Sequence, residues 1–405
     1  MISRSDAIHL DDRDPLGHLR ERFSIPEGVI YLDGNSLGAL PKHVPARLQK
    51  VIVDEWGDGL IGSWNTAGWA DLPKRVGDRI GRLIGAEPDS VIACDSTSVN
   101  LFKVASSAAR ASDRSLILTD EGNFPTDVYV LDAVARQHEK TLRMWDPTDG
   151  SPIGDDVAFV AMTEVNYRTG ERHDMAEITA RAHAAGAAAI WDLAHSAGAL
   201  PVNLADCAVD FAVGCGYKYL NGGPGASAYV YVSPGRQPSF GNPITGWWGH
   251  ARPFEMSLAF EPHDGIHRAR VGTQHVLSLA ALDAALDVFD GISLDDLHAK
   301  SLSLTSLFME LLADSVPWVD VVTPREPHRR GSHVSFRHSD AYAVVQALVA
   351  RGVVGDFRNP DIARFGMAPL YVRHVDIWDA SQHLVAVLTD DEWQSEAHMN
   401  RAAIT

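Results

Sequence analysis

The sequence has few cysteines, little positive charge and no long apolar run. Cys94, Cys207 and Cys215 are its only cysteines among 405 residues, and they form neither a Cys-x-x-Cys pair nor a zinc spacing. This pattern predicts free thiols in a reducing compartment. The N-terminus lacks the apolar segment of a secretory signal, and no later stretch approaches the length of a membrane span. We therefore expect a cytoplasmic protein without a membrane partner.

Acidic residues outnumber basic residues. The chain has 53 aspartates and glutamates but only 35 lysines and arginines, which gives a formal net charge of -18. Such a surface repels nucleic acids, so we expect no nucleic-acid partner. An anionic ligand must then bind in a local cationic pocket. His263 and His267 have no third ligand nearby and a glycine between them, so we expect a solvent-exposed loop there and assign no metal.

The chain is long enough for one large domain and a smaller one, and between residues 70 and 232 short apolar runs alternate with helical patterns. This alternation predicts an α/β fold with a mostly parallel central sheet covered on both faces. The runs expected to form strands are Val91–Ala93, Leu116–Leu118, Ala158–Ala161, Ala187–Trp191, Phe211–Val213 and Tyr229–Val232. We expect a large domain over 46–270, a smaller α+β domain over 271–405, and an N-terminal segment, 1–45, that joins the smaller domain.

Two of these runs are followed by polar groups that could hold one ligand. Asp192 ends one run, and Lys218 lies in a glycine-rich turn after the next. Ligands bind at the carboxyl ends of strands in open parallel sheets, and a lysine among small and apolar residues is a candidate Schiff-base nucleophile. Pyridoxal phosphate needs such a lysine and a carboxylate for its ring nitrogen. Either residue alone would be read as a solvated loop lysine or a helix cap; the pair, with His195 nearby, favours the cofactor.

Two further stretches could serve that cofactor. Ser96, Thr97 and Ser98 begin a helical pattern directly after a strand, where hydroxyls and free amides form a phosphate site, although a simple capping cluster has the same pattern. Phe124 begins Phe-Pro-Thr-Asp after the next strand, and its ring could stack on the pyridine ring. An ordinary turn would explain that stretch equally well.

Seven stretches together resemble the kynureninase family, in order from about residue 15 to about residue 395. The Asp-Leu-Ala-His and Tyr-Lys-Tyr-Leu-Asn-Gly-Gly-Pro-Gly blocks are highly specific in combination. The stretches are YLDGNSLG (31–38), NFPTD (123–127), WDLAHSAG (191–198), YKYLNGGPG (217–225), GWWGH (246–250), RGSHVS (330–335) and RFGMAPLY (364–371).

The resemblance implies a fold-type I enzyme dependent on pyridoxal phosphate, a homodimer with its site at the subunit interface. Its reaction would convert L-kynurenine and water into anthranilate and L-alanine. By this resemblance Lys218 is the Schiff-base lysine, Asp192 the partner of the ring nitrogen, and Tyr217 a candidate proton donor. Arg364 matches the position that pairs with the substrate carboxylate, which suits its guanidinium fork.

The resemblance also implies the residues that line the cofactor and the substrate. Those at the cofactor are Thr97, Ser98, Phe124, Pro125, Thr126, Asp127, Thr163, Asp192, His195, Tyr217, Lys218, Trp247 and Thr273. Tyr217 and Trp247 are expected at the phosphate, and Thr273 is expected to come from the partner subunit. Ser36, Trp64 and Trp248 are candidates for the aromatic end of the substrate. Trp64 favours unsubstituted kynurenine over 3-hydroxykynurenine.

Other functions share parts of this pattern. A cysteine desulfurase or an aminotransferase of the same fold would use the same Asp and Lys, but a desulfurase needs a reactive cysteine on a mobile loop, and all three cysteines lie in or beside predicted core elements. Gly34-Asn-Ser36-Leu-Gly38 also fits the nucleophile elbow of a serine hydrolase. Too little chain precedes Ser36 to supply that fold's earlier strands. A pure binding protein is the alternative that is not an enzyme.

Overall fold

The computed structural model describes residues 2–147 and 153–399. The strands are β1 (Phe23–Ser24), β2 (Ile30–Tyr31), β3 (Leu40–Pro41), β4 (Val91–Ala93), β5 (Leu116–Asp120), β6 (Thr141–Trp145), β7 (Val157–Thr163), β8 (Ala188–Asp192), β9 (Phe211–Gly214), β10 (Tyr229–Val232), β11 (Asp320–Val321), β12 (His333–Arg337), β13 (Val353–Val354), β14 (Asp356–Arg358) and β15 (Ile362–Gly366). The helices are α1 (Arg4–Asp11), α2 (Val44–Lys50), α3 (Ser63–Thr66), α4 (Leu72–Leu83), α5 (Thr97–Arg110), α6 (Pro125–Gln137), α7 (Met175–Ala184), α8 (Val276–Ala285), α9 (Leu294–Ser315), α10 (Ala341–Ala350), α11 (His374–Thr389) and α12 (Glu396–Met399).

A seven-stranded sheet in the order β4-β10-β9-β8-β7-β5-β6 forms the centre of the fold. Only β10 runs antiparallel to its neighbours. Both faces are covered: along β7, Val160 and Met162 belong to one apolar cluster, whereas Phe159 and Ala161 belong to another. All six runs expected to be strands lie in this sheet. The edge strand β6 was not predicted, because most of its side chains are exposed and it has no apolar run.

A second sheet, in the order β11-β12-β15-β14, is antiparallel throughout. The N-terminal segment packs on this C-terminal part of the chain. β2 pairs with β13, and Arg20 forms an ion pair of 3.0 Å with Asp376 of α11. These contacts agree with a segment 1–45 joined to the smaller domain; the boundaries at 45 and 270 stay a prediction.

Residues 44–58 form two consecutive helical elements of different type. α2 ends at Lys50, and the chain continues as a π-helix over Val51–Asp58. Ile52, Val53 and Trp56 of this π-helix are exposed. Within residues 2–147 and 153–399, no helix has the length and apolar character needed to cross a bilayer.

The sheet brings several polar strand ends together. Thr163 and Asp192 are register partners at the ends of the parallel strands β7 and β8. The neighbouring β9 leads into the turn with Lys218, and β4 leads through Ser96 into α5. A ligand at this edge of the sheet is therefore surrounded by groups from four strand ends.

Candidate active site

Lys218 lies in a tight turn that is packed against a second turn from the N-terminal segment. Its Nζ is 2.9 Å from Nε2 of His195. The backbone N–H of Gly38 donates to the carbonyl of Tyr217 over 2.8 Å, and a Cβ on Gly38 would lie 2.2 Å from the carbonyl oxygen of Lys218. The Gly-Asn-Ser-Leu-Gly turn therefore needs glycine at position 38 to approach the lysine turn so closely.

Two buried carboxyl groups lie beside Lys218. Asp192 accepts a hydrogen bond from the backbone N–H of Ala194 over 2.6 Å. Burial raises the pKa of Asp192, and burial together with the neighbouring Asp192 raises the pKa of Asp127 well above its usual range. We infer that Asp127 is protonated and donates to Asp192. A protonated ring nitrogen would supply the cation that ionised Asp192 needs in this buried position.

Several buried polar atoms of the site have no hydrogen-bond partner among the described residues. They include Oγ1 of Thr163 and Nδ1 of His195. Thr97 and Ser98 occupy the first turn of α5, where Ser96 caps only the N–H of Val99. The first amides of a helix are free to bind phosphate. These residues therefore fit a flat, polar, phosphorylated cofactor such as pyridoxal phosphate.

Phe124 and Tyr217 provide aromatic surface at the site. Phe124 is 41% exposed and makes an edge contact of 5.1 Å between ring centroids with Tyr167. Pro125, Thr126 and Asp127 follow it in the first turn of α6. The ring centroid of Tyr217 is 5.9 Å from Nζ of Lys218, and burial raises the pKa of the Tyr217 hydroxyl above its usual range.

Arg364 is 1% exposed and is held by three groups from different parts of the chain. Its Nε donates to Oδ1 of Asp356 over 2.8 Å, Nη1 to the carbonyl of Tyr167 over 2.6 Å, and Nη2 to Oγ of Ser36 over 2.9 Å. Ser36 thus lies beside the arginine and not with the two tryptophans with which it was grouped. Its hydroxyl donates to Oδ2 of Asp356 over 2.5 Å, so no histidine takes its proton, as a serine hydrolase requires.

Sequence reasoning missed four residues of this arginine cluster: Asp33, Asp356, Arg358 and the buried His333. Nη2 of Arg358 donates to Oγ of Ser36 over 3.1 Å and lies 2.6 Å from Oδ2 of Asp356. The ring of His333 is 5.5 Å from that of His195. The spacing of Asp356 and Arg358 on a strand puts both side chains on one face, which was the available signal.

The tryptophans form a separate cluster. The rings of Trp64 and Trp248 stack at 5.6 Å, and Trp247 lies 4.7 Å from Trp248. The guanidinium of Arg270 is 5.1 Å from the Trp248 ring, and Thr273 is exposed. None of the ring, ion-pair or hydrogen-bond contacts found within the described residues joins this cluster to Lys218 or Arg364.

The three cysteines are poor nucleophiles in this structure. Burial raises the pKa of Cys94 to about 12, and burial also raises the pKa of Cys207 and of Cys215. All three are free. A desulfurase needs a thiolate, which these environments disfavour. The described residues also contain no group of three or more side chains placed to hold a metal ion.

Solved structures share this fold. A C-DES mutant with glycine covalently linked to its PLP cofactor and the cysteine desulfurase CsdA from Escherichia coli both superpose with a TM-score of 0.78 at 18% identity. The matches cover 92% of this chain and 99% and 98% of those chains. The chain therefore has the fold of the fold-type I class, and the residues at its strand ends are of the kinds that pyridoxal phosphate requires.

Sequence comparison gives the family within that class. Kynureninases from Pseudomonas fluorescens and Burkholderia mallei (strain SAVP1) are 49% and 48% identical to this chain, and each match covers 100% of both chains. A family model of the kynureninase C-terminal domain matches residues 297–384. The chain belongs to the kynureninase family. It is therefore a hydrolase that depends on pyridoxal phosphate and cleaves L-kynurenine into anthranilate and L-alanine.

Proposed function

We propose that Lys218, Asp192 and Arg364 are the residues that carry this hydrolysis, and that the preferred substrate is unsubstituted L-kynurenine. The observation that carries the proposal is that three side chains lie together at one edge of the sheet. Nζ of Lys218 is 2.9 Å from Nε2 of His195, and the buried Asp192 ends the neighbouring strand. The unpartnered Oγ1 of Thr163 lies beside Asp192 in the sheet register. This set supplies a nucleophilic amine, an anion for a ring nitrogen and unused hydrogen-bonding atoms in one place.

Each residue has a role that follows from its position. Lys218 would hold the cofactor through its amine, and the same amine is placed to take the proton from the substrate Cα. Pyridoxal phosphate, when bound, withdraws the electrons left at that carbon. Asp192 would keep the ring nitrogen of the bound cofactor protonated, and Asp127 donates a hydrogen bond to Asp192. Arg364 holds the substrate carboxylate and so fixes which bond at Cα faces Lys218.

Tyr217 is proposed as a proton donor in the steps that follow removal of the proton from the substrate Cα. Because burial raises the pKa of its hydroxyl, the group stays protonated and can donate. The alternative role is phosphate binding alone. Tyr217→Phe with unchanged turnover and weaker cofactor binding would reduce Tyr217 to that role.

The substrate preference is proposed from the tryptophan cluster. Trp64 packs on Trp248 and presents mainly apolar surface. A 3-hydroxyl group placed against it would lose its hydrogen bonds to water without a replacement, which opposes its binding. A higher kcat/KM for 3-hydroxykynurenine than for kynurenine would refute this preference.

We also propose a cytoplasmic homodimer in which each tryptophan cluster completes the site of the partner. Phe254 contacts the rings of Trp247 and Trp248, and Phe254, Met256 and Leu258 of the same loop are 72%, 71% and 105% exposed. Contiguous exposed apolar groups of this kind mark an interface. The exposure of Thr273 and the lack of described contacts from the cluster to Lys218 support a site shared between subunits. The three free cysteines agree with a reducing compartment.

The first test is anthranilate fluorescence after L-kynurenine is added to protein loaded with pyridoxal phosphate. We expect anthranilate from the wild type and from Lys50→Ala, a control at an exposed lysine, and a loss of at least a thousandfold in Lys218→Ala. Activity retained in Lys218→Ala would overturn the assignment of the lysine. A wild-type protein that is yellow and borohydride-sensitive but gives no anthranilate would refute L-kynurenine as the substrate. Cysteine and amino donors would then be tested as substrates.

A further inference from the structure

A second carboxyl group, Asp33, lies beside Ser36 and Asp356 of the arginine cluster, and among the described residues it forms no ion pair with Arg358 or Arg364. Asp33 follows β2, and its backbone forms a parallel bridge with Gly366 at the end of β15, the strand that carries Arg364. Its Oδ1 is buried and has no hydrogen-bond partner within the described structure. The cluster therefore holds two carboxyl groups in unequal positions.

The contacts of the two carboxyl groups decide which one holds a proton. Asp356 accepts from Arg364 at 2.8 Å, from Ser36 at 2.5 Å, and lies 2.6 Å from Arg358. Burial works against ionisation of Asp356, but Arg364, Arg358 and Ser36 together outweigh burial and lower the pKa of this carboxyl group. Burial and the neighbouring Asp356 raise the pKa of Asp33 to about 7. Near neutral pH, Asp356 is thus the anion and Asp33 is the group that gains or loses a proton.

The other titratable groups around Asp33 keep one charge state near neutral pH. Burial raises the pKa of Tyr31, Tyr219 and Tyr371, which therefore stay neutral. Burial lowers the pKa of His333 to about 3 and the pKa of His195 well below its usual range, so these stay neutral as well. Arg358 and Arg364 remain cationic.

We propose that Asp33 sets the affinity of this site for the substrate carboxylate, which binds well only while Asp33 is a neutral acid. Arg358 and Arg364 carry two positive charges and ionised Asp356 carries one negative charge. The cluster therefore has one net positive charge with which to bind the substrate carboxylate. Ionisation of Asp33 cancels that charge and places a second anion at the site. By linkage, binding of the carboxylate must also favour retention of the proton on Asp33. The inference rests on the proposed role of Arg364.

The test compares two ligands of the holoenzyme that differ by the carboxylate, L-alanine and ethylamine. Their dissociation constants are measured from the change in cofactor absorbance between about pH 6 and about pH 8.5, a range on both sides of the pKa of Asp33. The ratio of the two constants isolates the carboxylate, because titration of the cofactor and its lysine affects both ligands. We expect the preference for alanine to fall about tenfold across this range in the wild type.

Asp33→Asn should show, at every pH in this range, the preference for alanine that the wild type shows at about pH 6, because the asparagine side chain cannot ionise. Asp361→Asn is the matched control. Asp361 lies between β14 and β15, near the arginine cluster in sequence, but its carboxylate pairs with Arg168 and Arg337. In this variant the preference for alanine should therefore fall with pH as it does in the wild type. An unchanged preference in the wild type, or the same fall in Asp33→Asn, would overturn the inference. A ratio near one at every pH would instead refute the carboxylate role of Arg364.

A second measurement needs no variant and keeps the inference testable if Asp33→Asn does not fold. Calorimetry of the wild type near pH 7.5, in buffers of different ionisation enthalpy, counts the protons taken up on binding. We expect alanine to be accompanied by more proton uptake than ethylamine, by up to about one proton. Equal uptake with both ligands would contradict the proposal.

Discussion

At Gly38 the turn that follows β2 touches the backbone of the turn that carries Lys218. Gly38→Ala would put a Cβ 2.2 Å from the Lys218 carbonyl and 2.7 Å from Cα of Asn221, so one of the two turns must move. We expect a loss of stability of about 1–3 kcal/mol and weaker retention of the cofactor. Thermal denaturation and cofactor absorbance measure the two effects. Gly235→Ala is the control, because no atom lies within 4 Å of its Cβ; similar behaviour of both variants would contradict the prediction.

At the same scale, the sequence predicts residues that act from strand ends better than residues that meet across the fold. Lys218 and Asp192 each follow an apolar run, so their shared edge of the sheet follows from parallel strand order. The contact between Ser36 and Arg358 could not be found this way. These residues meet only because the N-terminal segment packs against a hairpin more than 300 residues later, and such a tertiary contact leaves no local pattern at Ser36 or at the nearby Asp33.

At the scale of elements, the carboxylate of Asp11 at the end of α1 caps the N-terminus of α11. It accepts from the backbone N–H of His374 at 2.7 Å and of Val375 at 2.9 Å. Asp11→Ala leaves these N–H groups without an acceptor and removes a negative charge from the positive end of the helix dipole. We expect the free energy of unfolding to fall by about 1–2 kcal/mol.

Denaturant unfolding of the cofactor-free protein checks this prediction, with Asp12→Ala as the control. Asp12 is the adjacent, exposed carboxylate at the end of α1 and makes no contact with α11 among those described. Equal stability of Asp11→Ala and the wild type would show that α11 does not depend on this cap. Such a cap between distant helices is invisible to periodicity, which registers only the apolar residues that repeat along a single helix.

At the scale of the whole molecule, the separation of the tryptophan cluster from Lys218 makes the proposed shared site of a homodimer testable. In a hybrid of Lys218→Ala and Trp248→Ala subunits, a shared site places both substitutions in one site and leaves the other site native. Sites contained within single subunits would each keep one defect. The two arrangements therefore differ in whether two inactive proteins can restore activity to each other.

The measurement is anthranilate release after the two variants are mixed in equal amounts, unfolded and refolded together with pyridoxal phosphate. Random pairing makes about half of the dimers hybrids with one native site each, so we expect about a quarter of the wild-type activity. Each variant refolded alone should stay inactive, and Lys218→Ala mixed with itself controls for the procedure. A second mixture, with Leu258→Asp in both variants, should lose the restored activity, because a charge on this exposed apolar surface opposes dimer formation. No recovery in the first mixture, from proteins that refold as dimers, would place the tryptophans and Lys218 in the same subunit's site.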